Sequence, residues 1–160
     1  MSRTWMLPAL LAAICAIAVA AVGATMTTIG PWYWDLAKPE WAPPDALYAI
    51  AWTIIYALAA LSGVLAWEAA QTRREAETII GLFALSGFLN ITWSLLFFRL
   101  ERPDLALIEL IALAASILVL IVYGARIRRA VGLLLTPYFV WVVFAGFLNW
   151  EIVQLNGPFR

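Results

Sequence analysis

The chain has 160 residues, of which 65% are hydrophobic and 12% are charged, and its ten basic residues balance its ten acidic ones. Soluble domains carry about 45–50% apolar and about 25% charged residues, so this composition indicates a membrane protein. The sequence has no net positive charge, no phosphate-binding glycine motif and no histidine. These absences exclude a basic nucleic-acid surface, a P-loop, histidine-based catalysis and histidine metal ligation.

Four windows of the chain contain no charged side chain, and a fifth contains only Glu109. They are residues 4–34, 46–67, 78–98, 130–150 and 105–125. Each is close to the ~20 residues that a helix needs to cross the hydrocarbon core. We therefore predict an all-α integral membrane protein, one domain over residues 1–160, built as a bundle of five transmembrane helices. The predicted helices cover about 5–26, 46–70, 78–98, 103–123 and 130–153.

The first span follows Arg3 and has two interpretations, a secretory signal or a retained helix. Its apolar stretch exceeds a typical signal, and Ala12, Ala16 and Ala20 form a ladder of small residues that favours close helix packing. We therefore predict a retained helix. Cys15, the single cysteine, lies in the middle of this span. It is expected to be a buried, inert thiol.

Residues 27–45 form the one long connection, and they contain three tryptophans, one tyrosine and four prolines. Prolines restrict the backbone, and tryptophan and tyrosine favour the membrane interface. The segment is therefore predicted to be structured. It is either an interfacial anchor or a semi-rigid lid over the mouth of the bundle.

Five spans place the two termini on opposite sides of the membrane. One side carries six basic residues, Arg3, Arg73, Arg74, Arg126, Arg128 and Arg129. The other side carries four, Lys38, Arg99, Arg102 and Arg160. Because basic residues are enriched on the cytoplasmic side, this asymmetry predicts a cytoplasmic N-terminus.

Aromatic and hydrogen-bonding side chains recur at helical spacing on one face of several predicted helices. They are Tyr48, Trp52 and Tyr56 in the second helix, Ser86, Asn90, Trp93 and Ser94 in the third, and Tyr138, Trp141, Ala145 and Asn149 in the fifth. Such stripes usually serve packing or an interfacial belt, but Trp52 and Tyr56 lie too deep in their helix for a belt. Asn90 also suits helix-to-helix hydrogen bonding. Together these faces predict an internal pocket for a flat hydrophobic ligand with a few polar atoms.

Glu109 lies about two turns inside the fourth predicted helix, where a carboxyl group is costly. No lysine or arginine shares its predicted depth, so we expect a hydrogen bond to a Trp, Tyr, Asn or Ser side chain. The alternative is a carboxyl group that extends to the nearby interface.

Three sets of motifs resemble a known family. They are Trp32-Tyr33, Leu36, Lys38-Pro39, Trp41 and Pro43-Pro44 with Trp52 and Tyr56; Asn90, Trp93-Ser94 and Phe97-Phe98; and Pro137-Tyr138, Trp141, Phe144-Ala145, Leu148-Asn149 and Leu155-Asn156. Over residues 32–156 the chain resembles the translocator protein family, also called tryptophan-rich sensory proteins, peripheral benzodiazepine receptors or TspO/MBR.

The resemblance implies a five-helix membrane bundle, a homodimer, and a ligand pocket beneath the first loop, in a bacterial rather than a mitochondrial membrane. It implies porphyrin- or haem-like ligands, isoquinoline or benzodiazepine-type drugs, and sterols or other lipids as partners, with no nucleic acid and no resident cofactor or metal. By position, it implies the ligand-binding residues Tyr33, Trp41, Trp52, Asn90, Glu109, Trp141 and Ala145. The inward aromatic faces add Tyr56 and Tyr138 to this set.

Three functions remain open. The first is a membrane binding protein or sensor for tetrapyrroles. The second is a light- and oxygen-dependent porphyrin-degrading enzyme, because Trp52 and Trp141 match the two tryptophans that the family resemblance associates with this reaction. The third is a transporter of tetrapyrroles or sterols, which the absence of an internal repeat disfavours.

The sequence departs from the family in two places. The sterol-recognition pattern is absent from the last helix, although Val119, Tyr123 and Arg126 fit its loose form in the fourth. The third helix has no clean pair of small residues for a dimer contact, but Gly87 is a candidate for close approach.

Overall fold

The computed structural model describes residues 6–159, with side chains from residue 10 onward. The helices are α1 Met6–Met26, α2 Pro31–Asp35, α3 Asp45–Ala69, α4 Arg73–Ser94, α5 Pro103–Ile127 and α6 Arg129–Asn156, with a π-helical segment, Leu95–Arg99, continuing α4. The described part of the chain contains no strand, and the predicted all-α fold class is confirmed. The predicted start of the first helix, together with Arg3 and Arg160, lies outside the described residues.

The helices have the length and surface of membrane spans. Among the described residues, α3, α4 with its extension, α5 and α6 are long and apolar enough to cross a bilayer, and α1 adds a shorter apolar segment, Leu10–Met26. Ile111 and Leu133 on the outer surface are 70% and 72% exposed. Such faces are costly in water and stable in lipid. The protein is a multi-pass integral membrane protein.

The five long helices form a closed ring. Helix α1 packs against α3 and α4, α3 packs against α6, α6 against α5, and α5 against α4. Buried side chains fill this ring in three clusters, around Phe97 at the end that carries the long loop, around Ile117 in the middle, and around Leu135 at the opposite end. The ring therefore has a packed interior along most of its length.

Two helix starts differ from the sequence prediction. Helix α4 begins at Arg73, five residues before the predicted start, because Thr72 and Glu75 form a capping box. Thr72 Oγ1 accepts a hydrogen bond from the Glu75 N–H at 3.1 Å, and Glu75 Oε2 accepts one from the Thr72 N–H at 3.3 Å. The short helix α2 begins at Pro31, whose fixed φ suits a first helical position. Hydrophobicity alone detects neither feature.

The expectation that Cys15 is buried is wrong, and the close approach at Gly87 occurs within the chain. Cys15 is exposed on the outer face of α1 and is not buried, because the half-buried face of that helix is the one that carries Ala16 and Ala20. Gly87 faces α1 of its own chain, since a Cβ atom there would lie 3.1 Å from Val19 Cγ2. Gly87 therefore serves packing inside the ring.

Glycine determines how closely α5 and α6 approach. A Cβ atom on Gly132 would lie 2.8 Å from Ala125 Cβ and 3.0 Å from the carbonyl oxygen of Ile121. We expect Gly132→Ala to destabilise the protein by about 1–3 kcal/mol, because the backbone of α5 has to move. Thermal unfolding in detergent measures this change. The matched control is Gly146→Ala on the same helix, where a Cβ atom meets nothing within 4 Å; equal effects of both variants would contradict the close contact.

Candidate functional site

A cavity of about 550 Å³ lies inside the ring, beneath the connection between α1 and α3. Its walls come from α1, the connection, α3, α4 with its π-helical extension, and α6. Among the described residues, none that lines the cavity belongs to α5. Helix α5 therefore supports the neighbouring helices from behind and does not contact a ligand in the cavity.

One wall of the cavity is aromatic. The rings of Trp52 and Tyr56 stack with centroids 5.4 Å apart and an interplanar angle of 25°. Trp141 approaches Trp52 edge-on at 6.5 Å and Tyr48 at 5.9 Å. Tyr138 contacts Trp52 at 6.0 Å but lies outside the lining. These rings hold one another in fixed orientations, so the wall presents preformed flat surfaces to a ligand.

Two asparagines supply polar groups to the wall. The Tyr56 hydroxyl donates a hydrogen bond to Asn90 Oδ1 at 2.8 Å. Asn149 Nδ2 donates to the carbonyl oxygen of Pro103 at 2.7 Å, and Trp93 Nε1 donates to Asn149 Oδ1 at 3.3 Å. Both asparagines therefore join helices as well as lining the cavity. Asn90 therefore connects two helices, as the packing interpretation expects, and also lines the cavity, as the site interpretation expects.

The connection above the cavity is folded and is held by side chains. Tyr33 donates its hydroxyl hydrogen bond to Asp45 Oδ1 at 3.0 Å. Burial, together with the nearby Asp45 carboxylate, raises the pKa of Tyr33 well above its usual range, so this phenol remains a neutral donor. The Lys38 ammonium donates to the carbonyl oxygen of Tyr33 at 2.8 Å and lies 4.0 Å from the centre of its ring.

Asn156 at the end of α6 fastens the same connection. The Ala37 N–H donates to Asn156 Oδ1 at 2.8 Å, and Asn156 Nδ2 donates to the Ala37 carbonyl oxygen at 2.8 Å. Leu36 beside this pair is buried among the cluster around Phe97. The connection is therefore attached at three points: to α3 through Asp45, to α6 through Asn156, and to the core through Leu36.

The nine predicted ligand-binding residues divide into two groups. Six of them line the cavity: Tyr33, Trp52, Tyr56, Asn90, Trp141 and Ala145. The other three, Trp41, Glu109 and Tyr138, are absent from its lining. Trp41 is half-exposed on the connection and packs against Phe144, with ring centroids 5.8 Å apart. Phe144 in turn contacts Trp141 at 5.2 Å, so Trp41 covers the aromatic wall from above.

Glu109 differs most from the sequence prediction. Both carboxyl oxygens are enclosed, and neither has a hydrogen-bond partner among the described residues, so the expected bond to a Trp, Tyr, Asn or Ser side chain does not form. Glu109 belongs to α5, which lies behind the cavity wall. Its carboxyl group is therefore separated from the polar side chains that line the cavity. Nδ2 of Asn90 is the other enclosed side-chain atom without a partner in residues 10–159.

The structure also adds lining residues that the sequence analysis missed. Ala20, Gly23 and Ala24 of α1 form part of the wall, and Thr27 follows them. Their small side chains resemble a helix-packing ladder in the sequence, and only the position of α1 beside α3 turns this face into a cavity wall. Periodicity alone cannot distinguish these two uses of small residues.

The sequence is similar to a known protein family over most of its length. A profile of the TspO/MBR family matches residues 10–155. The chain belongs to the TspO/MBR family. The resemblance predicted from the motifs is therefore confirmed, and the five-helix bundle is that of a TspO/MBR protein.

Individual relatives agree with the TspO/MBR assignment. The chain is 37% identical to the tryptophan-rich protein TspO of Chlorobaculum tepidum, with 90% of this chain and 94% of the relative covered. It is 32% identical to the protein CrtK of Rhodobacter capsulatus, with 90% and 91% covered. It is 31% identical to the translocator protein of Bos taurus, with 78% and 75% covered. These similarities support a membrane binding or sensory role, and the bacterial relatives agree with a bacterial membrane.

We expect Asn156→Ala to loosen the connection above the cavity, because it removes both hydrogen bonds to Ala37. Two lost bonds of about 1 kcal/mol each correspond to roughly a tenfold or greater rise in local opening. Amide hydrogen exchange at Ala37 measures that opening. Gln154→Ala is the control, since Gln154 is exposed on the same helix. Unchanged exchange in Asn156→Ala would show that the connection is held without this residue.

We expect Glu109→Leu to stabilise the protein by about 1–3 kcal/mol, because it removes an enclosed carboxyl group that has no partner. Thermal unfolding in detergent is the measurement. Glu68→Leu is the comparison at an exposed position near the end of α3, where the change should stay within about 0.5 kcal/mol. A fall in the melting temperature of Glu109→Leu would mean that this carboxyl group makes a stabilising interaction.

Proposed function

We propose that the protein binds porphyrin- or haem-like tetrapyrroles in the cavity beneath the connection, as a membrane binding protein or sensor. The observation that carries the proposal is the aromatic wall formed around Trp52 and Trp141, along one side of a cavity of about 550 Å³. This volume lies within the ~300–1,000 Å³ typical of small-molecule sites. A flat conjugated macrocycle gains both stacking and apolar burial against such a wall.

The few charged groups at the cavity suit a mostly apolar ligand with acidic substituents. Lys38 and Asp45 are both among the lining residues, at the end covered by the connection. The Asp45 carboxylate accepts the Tyr33 hydrogen bond, whereas Lys38 is bonded only to a carbonyl oxygen in the described part of the chain. Lys38 is therefore the cation that we expect to meet a carboxylate of the ligand.

Iron ligation is not part of the proposal. The sequence contains no histidine, and Cys15 points away from the ring. Among the described residues that line the cavity, tyrosine is the one side chain that belongs to the usual haem ligands. We therefore expect metal-free porphyrin to bind about as well as haem. Flat isoquinoline or benzodiazepine-type drugs also suit the aromatic wall, because their rings gain the same stacking and apolar burial.

A second candidate is light-dependent degradation of the bound porphyrin. Trp52 and Trp141 line the cavity together and contact each other, so both could donate an electron to an excited ligand. Dioxygen would be the oxidant of the porphyrin, and the light that the porphyrin absorbs would supply the energy. A homodimer also belongs to the proposal. Gly81 on α4 is one position with open space for a second copy, because a Cβ atom there meets nothing within 4 Å.

The test is quenching of tryptophan fluorescence by metal-free protoporphyrin in detergent. We expect saturable quenching in the unmodified protein and at least a tenfold weaker affinity in Ala145→Leu, because an isobutyl group enters the cavity. Ala112→Leu is the matched control, since Ala112 is exposed on the outer face of α5. Equal affinity of both variants, or quenching that never saturates, would contradict binding in this cavity.

The same samples separate a sensor from a photo-enzyme. Illumination in air and in argon is followed by the porphyrin absorbance, for the unmodified protein and for Trp52→Phe and Trp141→Phe. A photo-enzyme requires oxygen and loses product formation in both variants more than it loses dark affinity. Binding without oxygen-dependent product leaves the sensor.

A further inference from the structure

The two ends of the bundle carry opposite charge. Among the described residues, the end with the long connection has three basic and six acidic residues, a net charge of −3 without Arg160. They are Lys38, Arg99 and Arg102 against Asp35, Glu40, Asp45, Glu101, Asp104 and Glu151. The far end, where α4 and α6 begin, has five arginines and three glutamates within residues 6–159, a net charge of +2 without Arg3. They are Arg73, Arg74, Arg126, Arg128 and Arg129 against Glu68, Glu75 and Glu77.

Most of the arginines at the far end have no carboxylate partner. Arg73 pairs with Glu77, with Nε and Oε1 2.6 Å apart. Within the described residues, the other four arginines of this end form no ion pair. The positive charge of this end is therefore open to an external anion. Lipid headgroups are the anions that a membrane interface presents at the highest concentration.

A second cavity, of about 270 Å³, lies at this end. It is lined by Ala69, Gln71, Glu75, Tyr123, Arg126 and Ile127, so it is bounded by the end of α3, the start of α4 and the last turns of α5. The cavity lies at the level where α5 leaves the apolar core. It shares no residue with the cavity beneath the connection.

The lining of this second cavity is rich in hydrogen-bond donors. Its one carboxylate, Glu75, is already engaged: Oε2 accepts the N–H groups of Gln71 at 2.7 Å and Thr72 at 3.3 Å. Gln71 Nε2 donates to the carbonyl oxygen of Ala69 at 3.2 Å, so the donors of the lining without a hydrogen bond in the described residues are the guanidinium of Arg126 and the phenol of Tyr123. A guanidinium and a neutral phenol in one cavity are donor types suited to a phosphate group.

The backbone holds Arg126 in a fixed position. Only Arg128 separates α5 from α6, and Gly124 and Gly132 bring the two helices into contact at this corner. A Cβ atom on Gly124 would lie 2.5 Å from Val131 Cγ1. Because this corner cannot move freely, binding at Arg126 costs little backbone entropy.

We propose that the second cavity binds the phosphate group of an anionic phospholipid, with Arg126 and Tyr123 as donors and the acyl chains along the outer face of α5. Val119 and Val122, exposed one turn nearer the middle of the membrane, provide the apolar surface for those chains. This surface favours a lipid over a free phosphate ion. The donor set favours a phosphate over the single hydroxyl group of a sterol, although Val119, Tyr123 and Arg126 also fit the loose sterol pattern.

The experiment measures the thermal stability of the full chain in lipid nanodiscs of pure phosphatidylcholine and in nanodiscs that also contain phosphatidylglycerol. We expect phosphatidylglycerol to raise the melting temperature, and native mass spectrometry to detect retained phosphatidylglycerol. Arg126→Gln should lower the affinity for phosphatidylglycerol about tenfold. Arg74→Gln is the matched control, because it removes the same charge at the same end from a residue outside the cavity. We expect it to retain the shift.

Each other outcome would overturn the proposal. Equal losses in Arg126→Gln and Arg74→Gln would mean nonspecific attraction by the net charge. Full competition by inorganic phosphate would mean a free-anion site. A shift produced by cholesterol in neutral nanodiscs, and lost in Arg126→Gln, would mean a sterol site. Protoporphyrin binding by Arg126→Gln, measured in parallel, should be unchanged and shows that the variant is folded.

Discussion

In the hydrocarbon core, every backbone N–H and C=O group has to find its hydrogen bond within the protein, and helices satisfy this requirement internally. A chain of 160 residues that spends most of its length on five such helices has one long connection and otherwise short turns. Its polar side chains therefore act between helices. Ser86 and Ser116 join α4 to α5, and Ser62 donates to the Val131 carbonyl oxygen to join α3 to α6. The space for a ligand lies where this interior packing is left incomplete, between the helices of the ring.

The cavity exists because large aromatic side chains and very small ones face each other across it. Trp52 and Trp141 form one wall, and Ala20, Gly23 and Ala24 of α1 leave room opposite. The rings of the aromatic wall support one another, so this space stays open without a ligand to hold it. Helix α5 contributes nothing to the wall, yet it fixes α4 and α6 on either side of it.

Windows without charge were sufficient to predict the five membrane helices, because a span of about 20 apolar residues is visible in the sequence itself. Six of the nine predicted site residues line the cavity, and most of the nine came from the family motifs rather than from periodicity. Prediction from the sequence failed where the outcome depends on neighbours. Glu109 was predicted from its depth in the membrane and from the family motifs, and neither reveals that its helix lies behind the wall. Cys15 lies on an apolar helix whose two faces look alike in sequence. The capping box of Thr72 and Glu75 is visible in the sequence, but a helix start placed by hydrophobicity alone does not detect it.

The paired hydrogen bonds between Asn156 and Ala37 join residues that are 119 positions apart in the chain. During synthesis, α1, the connection and α3 leave the ribosome long before the end of α6 does. The covering segment therefore cannot reach its final position on α6 until almost the whole chain has been made and inserted. A chain that stops just before Asn156 lacks both hydrogen bonds to Ala37, and its covering segment keeps only the attachments to Asp45 and to the core around Leu36.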